Sequence, residues 1–166
     1  MAAKFQKFTT HLCYNNQAEE AVALYTSLFE NSGIKHVLHY GKDQHGPEGS
    51  VLGILFELCG VDFWAVNGGP YFKFEQGMSI YVKCETQEEI DKLWEKLAEG
   101  GKHQQCGWLV DKFGVSWQIA PAIVDDMMRD PDPEKAQRIL TAVLEMEKYD
   151  IEELKRVYEG RPTIPA

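Results

Sequence analysis

The sequence predicts an α+β chain in which a βαβββ module occurs twice, followed by helices. Runs rich in β-branched and aromatic residues alternate with stretches whose apolar residues fall at helical spacing. One helical face returns later at a fixed distance: Ala21 to Ile90, Leu24 to Leu93, Tyr25 to Trp94 and Leu28 to Leu97 are all steps of 69. A fixed step of this length marks a duplicated structural unit, and the preceding strands are expected to follow the same step. From Asp130 onward only helical patterning remains.

Residues 5–13 alternate loosely and read as the first strand. Ala18, Ala21, Val22, Tyr25, Leu28 and Phe29 then line one helix face, with Asn16 and Glu19 spaced as a capping box and Gly33 as the stop. Strands follow at 34–40, 50–58 and 61–67, the last two joined by a tight hairpin at Cys59-Gly60. Asn67-Gly68-Gly69-Pro70 breaks the chain. The second pass runs through a strand at 77–84, a Thr86/Glu89 capping box, the helix face Ile90, Leu93, Trp94 and Leu97, a stop at Gly100-Gly101, and a hairpin of 106–112 with 115–120. Asp132 caps a further helix with Pro133 in its first position, and Asp150 with Glu153 starts another. Paired modules are therefore expected over 1–121, the first at 5–67 and the second at 77–121, with a helical extension over 122–160 and a frayed tail at 161–166.

Composition narrows the function. Hydrophobic residues at 44% and charged residues at 26% describe an ordinary globular chain, not a disordered one. The net charge of −9 repels phosphate backbones and anionic lipid, so neither nucleic acid nor membrane is an expected partner. No apolar run reaches the roughly 20 residues of a membrane helix, and the N-terminus lacks the apolar core of a signal peptide. Cys13, Cys59, Cys84 and Cys106 are scattered without a CxxC pair, as expected of a reduced, cytoplasmic protein. No GxSxG, P-loop, HExxH or EF-hand pattern occurs.

Longer strings carry a resemblance. NxQAEEAxxxYxSLF from Asn15, NGGPxFKF from Asn67, CETQEEIDxLWEKL from Cys84, QQCGWLxDKFGVSWQIxP from Gln104 and DPDPEKAQR from Asp130 span most of the chain. They resemble the PhnB-like branch of the vicinal oxygen chelate superfamily, the group of glyoxalase I, bleomycin-resistance proteins and extradiol dioxygenases. That branch carries the label 3-demethylubiquinone-9 3-methyltransferase. The resemblance implies that the two modules form a curved mixed sheet and that the protein is a homodimer. In metal-using members the first and last strands of each module supply His and Glu ligands. The matching positions here are Thr10, Asn67, Ser79 and Gln118. Neutral amides and hydroxyls are poor ligands for a catalytic transition metal, so no metal and no cofactor are expected.

Side chains along a strand alternate between faces. Trp64, Val66, Ile80, Val82, Cys84, Trp117 and Ile119 are assigned to the core beneath the helices, and His11 to that same side. The other face then carries Thr10, Leu12, Phe63, Asn67, Ser79, Tyr81 and Gln118, and Cys106 joins them from the long family string. Apolar walls with a few neutral polar groups suit a small-molecule cleft. His103 and Cys106 have ligand-like spacing, but two groups are not a metal site. The glycine turn that follows the first strand of an adenosylmethionine-binding domain is missing, since that strand leads into Asn15-Asn16-Gln17. The expected function is metal-independent binding of a small molecule. The superfamily's alternatives are a metal-dependent lyase, isomerase or dioxygenase, or the methyltransferase of the family label.

Overall fold

The computed structural model describes residues 6–161. Phe5, the expected start of the first strand, and residues 162–166 of the expected tail lie outside them. The chain divides into two compact units, one ending at Lys73 and the other beginning at Phe74.

The first unit contains β1 (Thr10–Tyr14), α1 (Ala18–Leu28), β2 (Gly33–His39), β3 (Val51–Leu58) and β4 (Val61–Asn67). The strands lie in the order β1-β4-β3-β2, with β1 parallel to β4 and the other pairs antiparallel. At the β3–β4 hairpin Cys59 and Gly60 have φ of 49° and 81°, the two left-handed residues that the favoured two-residue turn requires. Ala18, Ala21, Val22 and Tyr25 form the buried stripe of α1. Tyr25 lies over Phe56 with ring centroids 6.5 Å apart, Phe56 stacks on Phe63 at 5.5 Å, and the Tyr14 hydroxyl donates to that of Tyr25 at 3.3 Å. Gly33 does not stop the helix, which ends at Leu28; it opens β2 instead.

The second unit contains β5 (Ile80–Cys84), α2 (Gln87–Ala98), β6 (Lys102–His103), β7 (Trp108–Val110), β8 (Ser116–Pro121), α3 (Val124–Met128), α4 (Pro133–Glu145) and α5 (Ile151–Tyr158). Its sheet repeats the first in the order β5-β8-β7-β6, with β5 parallel to β8. The short elements β6 and α3 were not foreseen from the sequence. The α2 capping box forms: the Glu89 N–H donates to the Thr86 hydroxyl at 3.2 Å, and the Glu89 carboxylate accepts from the Glu85 N–H at 2.9 Å. Ile90, Leu93, Trp94 and Leu97 are buried as their spacing requires, and α2 packs on β5, β7 and β8. Burying each such side chain contributes roughly 1.5–3 kcal/mol. The β7–β8 turn is held by buried Asp111, which accepts from the N–H groups of Phe113 and Val115 and from Trp117 Nε1, each at 2.9 Å. Asp132 and Asp150 cap α4 and α5, accepting from Glu134 N–H and Glu153 N–H at 2.9 Å. Among the described residues no helix is long and apolar enough to cross a membrane.

The two passes differ by one residue. Ala18 to Gln87 is a step of 69, but Thr10 to Ile80 and Tyr14 to Cys84 are steps of 70. Three residues separate β1 from α1 and two separate β5 from α2. A one-residue shift in a strand turns every side chain to the opposite face. The strands therefore do not keep the 69-residue step, and the expected facing of the first module is reversed. Leu12 is 1% exposed, Ala65 0% and Phe63 8%, all on the side covered by Tyr25 and Phe56. His11, Trp64 and Val66 lie on the other face, with the His11 and Trp64 rings 6.1 Å apart. In the second module Trp117 and Ile119 are fully buried on the α2 side, as expected.

Candidate functional site

The second unit's sheet has two chemically different faces. Toward α2 it is apolar: Leu109, Trp117, Ile119 and Cys84 are 0–1% exposed. The opposite face carries a row across three strands, since Trp108 pairs with Gln118 and Gln118 pairs with Tyr81. Neighbouring strands stand about 4.8 Å apart, so an indole, an amide and a phenol follow one another across the sheet. Trp108 and Gln118 are half-buried and Tyr81 is 41% exposed. The Gln118 amide donates to the Ser79 hydroxyl at 2.8 Å, which fixes its orientation. Trp108 also lines a depression of about 360 Å³, together with Gln76, Gln104, Gln105 and Cys106.

Electrostatics at one end of the row come from the extension. The Tyr81 hydroxyl donates to Asp125 Oδ1 at 3.3 Å, and Lys83 pairs with the same carboxylate at 2.6 Å. Burial, with the adjacent Asp125 charge, pushes the Tyr81 phenol up to about 12. The Lys83 hydrogen bond holds the Asp125 carboxyl below the ordinary carboxylate range. The row therefore presents a protonated phenol, a neutral amide and an internally paired charge.

The eight residues expected in one cleft do not share one setting. Ser79, Tyr81 and Gln118 sit together on this face, and Cys106 lies at the depression. Thr10, Leu12 and Phe63 belong to the strand face under α1, for the register reason given above. Asn67 has a structural task. The expected Asn16/Glu19 capping box does not form, because Gln17 occupies the cap position of α1 without a side-chain hydrogen bond. Asn67 Oδ1 takes that role from β4, accepting from Ala18 N–H at 3.0 Å, while Nδ2 donates to Glu19 Oε2 at 2.8 Å and to the Val51 carbonyl at 3.0 Å. Trp108 and the three glutamines were absent from the expected set. Counting back across the turn at Asp111 to the partner of Gln118 gives Trp108; the glutamines lie outside the strands and carry no such signal.

The histidine and cysteine pair in HQQC does not converge on a metal. His103 stacks on Trp94 with ring centroids 4.4 Å apart and an interplanar angle of 3°, and its Nε2 lies 3.1 Å from the Trp94 carbonyl. The Cys106 thiol instead approaches the Leu144 carbonyl at 3.9 Å. Among the described residues no three His, Cys, Asp or Glu side chains are grouped so as to hold a metal ion. That donor set does not fit the metal of the superfamily's metal-dependent enzymes.

Comparison with known proteins gives the lineage. The family described as 3-demethylubiquinone-9 3-methyltransferase matches residues 6–120. A putative 3-demethylubiquinone-9 3-methyltransferase, PhnB protein, from Bacillus cereus is 41% identical, with a TM-score of 0.64 over 69% of this chain and 98% of its own. Protein PA1353 from Pseudomonas aeruginosa is 22% identical, with a TM-score of 0.58 over 70% of this chain and 98% of its own. The fosfomycin resistance protein FosX from Listeria monocytogenes shares the fold at 13% identity, with a TM-score of 0.54 over 76% of this chain and 97% of its own. No curated protein matches. Both the family match and the Bacillus relative place this chain in the 3-demethylubiquinone-9 3-methyltransferase family.

Proposed function

We propose that the chain binds a small, neutral, partly aromatic molecule on the face opposite α2, without a metal. The observation that carries this is the row Trp108–Gln118–Tyr81 beside a depression of about 360 Å³. Two aromatic side chains supply stacking surface, and an amide held by Ser79 both donates and accepts. Pockets that combine apolar walls with a few placed polar groups suit ligands of this size. A chain with a net charge of −9 disfavours an anionic ligand overall. A homodimer belongs to the same proposal, supported by the exposed Leu140 and Leu144 of α4. The four free cysteines support a reducing, cytoplasmic setting.

The test is a thermal-shift screen of neutral aromatic compounds, followed by titration of each hit against Trp108→Ala and Gln118→Glu. Removing one hydrogen bond to a neutral ligand costs about 0.5–1.5 kcal/mol, or roughly 2- to 10-fold in affinity. Gln118→Glu should cost more for a ligand that accepts from the amide, because a carboxylate cannot donate. Hits that bind both variants as tightly as the wild type would place the site elsewhere. The same titration with adenosylmethionine should give no dissociation constant below roughly 100 μM, about −5.5 kcal/mol; tighter binding would support the methyl transfer named in the family description.

A further inference from the structure

The family match ends at residue 120, and the Bacillus cereus relative uses 98% of its own length on 69% of this chain. The helices that follow are thus additional to the family pattern, and they reach the sheet face described above. Ala120 lies two positions beyond Gln118 in β8, so the two share that face. Ala120 is 1% exposed, in a cluster with Val124, Ile139 and Leu154, and it pairs with Lys83 of β5. Val124, 2% exposed in the same cluster, fixes α3 beside the end of the row. Asp125 is the next residue.

Asp125 divides its carboxylate between two side chains of one strand face. Oδ1 accepts from the Tyr81 hydroxyl at 3.3 Å, and Oδ2 pairs with Lys83 at 2.6 Å. Tyr81 and Lys83 are two apart in β5 and point the same way. An ionised carboxylate only accepts, so the phenol is the donor in this contact, and a phenol has one proton to donate. Burial and the Asp125 charge keep that proton in place across the neutral range, since they push the phenol up to about 12. Tyr81 is still 41% exposed, so its oxygen is open to the row, where it offers a lone pair. Lys83 balances the Asp125 charge, so this polarity is set without adding net charge to the face.

We infer that Asp125 sets the hydrogen-bond polarity of the row and so selects its ligand: a neutral aromatic molecule with a donor, a hydroxyl or an N–H, on the edge that meets Tyr81. This rests on the reading that Trp108, Gln118 and Tyr81 take such a molecule, and it adds the donor to that reading. A ligand hydroxyl there donates to Tyr81 and extends the chain that ends at Asp125, in which each bond polarises the next. An acceptor at that edge, such as an ether oxygen, faces the Tyr81 lone pair and loses its water without a replacement. The selecting carboxylate lies beyond residue 120, so this selectivity belongs to the chain's own extension and not to the family pattern.

Paired probes test this: β-naphthol, which donates, and its methyl ether, which keeps the rings and only accepts. NMR titration of the full chain, read at the amide resonances of Tyr81, Trp108 and Gln118, gives both affinities. In the wild type the naphthol should bind roughly 2- to 10-fold more tightly, the size of one hydrogen bond. Asp125→Ala frees the Tyr81 proton, so the ether should gain about 2- to 10-fold and the preference should close. A purely structural role for Asp125 would not improve binding of the ether. Asp125→Asn, whose amide can donate to Tyr81, should act in the same direction and serves if Asp125→Ala does not fold. Tyr81→Phe should bind the two probes alike. A wild type that binds the ether as tightly as the naphthol would overturn the inference. Binding of neither probe at about 1 mM, or a full preference kept in the Asp125 variants, would do the same. If the inference fails while Trp108→Ala weakens both probes, the sheet-face reading survives; if Trp108→Ala weakens neither, that reading has failed on its own.

Discussion

Asn67→Ala should destabilise the chain by about 2–3 kcal/mol. The side chain reaches from the end of β4 and makes three hydrogen bonds, to Ala18 N–H, Glu19 and the Val51 carbonyl. An ordinary hydrogen bond is worth about 1 kcal/mol net, and loss of an N-cap costs about 0.5–2 kcal/mol. The contact with Glu19 is solvent-exposed and counts least. For a chain of this length, about 2–4 °C per kcal/mol converts the loss into a melting point lower by roughly 4–12 °C. Thermal melting by circular dichroism reads the shift, and exchange of the Ala18 amide localises it. Asn67→Asp separates the parts. It keeps an acceptor for Ala18 and places negative charge at the positive end of α1, which is favourable. It also sets that charge beside Glu19 and leaves the Val51 carbonyl without its donor. Its loss should be smaller than that of Asn67→Ala and should shrink at low pH, where a protonated carboxyl can donate. A melting point for Asn67→Ala within about 1 °C of wild type would refute the capping role. Lost ligand binding with an unchanged melt would return Asn67 to the binding surface.

Three further outcomes follow from the geometry. Leu12→Ala should cost about 2–5 kcal/mol in denaturant unfolding, because Leu12 is 1% exposed under α1, whereas His11→Ala on the exposed face should stay within about 0.5 kcal/mol; the reverse order would mean that the first sheet faces the other way. The Tyr81 phenol, raised to about 12, lends stability that is complete below the ordinary tyrosine value of 10.0 and is lost as pH rises through the folded value. Tyr149, raised by burial, and Tyr158, raised by its hydrogen bond to Asp130, also titrate late. Spectrophotometric titration should therefore show a late group of tyrosines of which Asp125→Asn moves one earlier, and an unmoved curve would count against the contact. A homodimer should appear in native mass spectrometry near twice 18.9 kDa at micromolar concentration, and a clean monomer would remove that part of the proposal.

The element sequence was legible because its signals are local. Thr86 and Glu89 cap α2 as their spacing requires, Asp132 and Asp150 cap α4 and α5, and the Cys59-Gly60 turn joins β3 to β4. Elements that draw their stability from tertiary contacts left weaker traces. β6 is two residues long, and α3 has no side-chain cap. The cap of α1 comes from Asn67, 49 positions after the N–H that it serves. Asn16 and Glu19 had the right spacing for a local cap, but the Asn67 amide satisfies the Ala18 N–H in their place.

The candidate site shows how far strand parity can be carried. In the second module alternation along β5 and β8 gives the observed faces: Trp117 is buried toward α2, and Tyr81 and Gln118 pair on the other face. In the first module the facing of Thr10 and Asn67 follows the ligand positions that the resemblance implies, and Thr10 stands 69 residues before Ser79, the helices' own step. The connection is one residue longer there, and a helix absorbs one residue by rotating about 100° while a strand inverts. The four superfamily ligand positions inherit that error unequally. Ser79 and Gln118 hydrogen-bond to each other on the face opposite α2, whereas Thr10 and Asn67 lie on strand positions assigned to α1 packing and capping. A neutral residue at Thr10 or Asn67 therefore says nothing about ligand chemistry. The proposal of a neutral ligand rests on Ser79, Tyr81, Trp108 and Gln118, whose facing follows from pairing within one sheet and does not depend on the repeat.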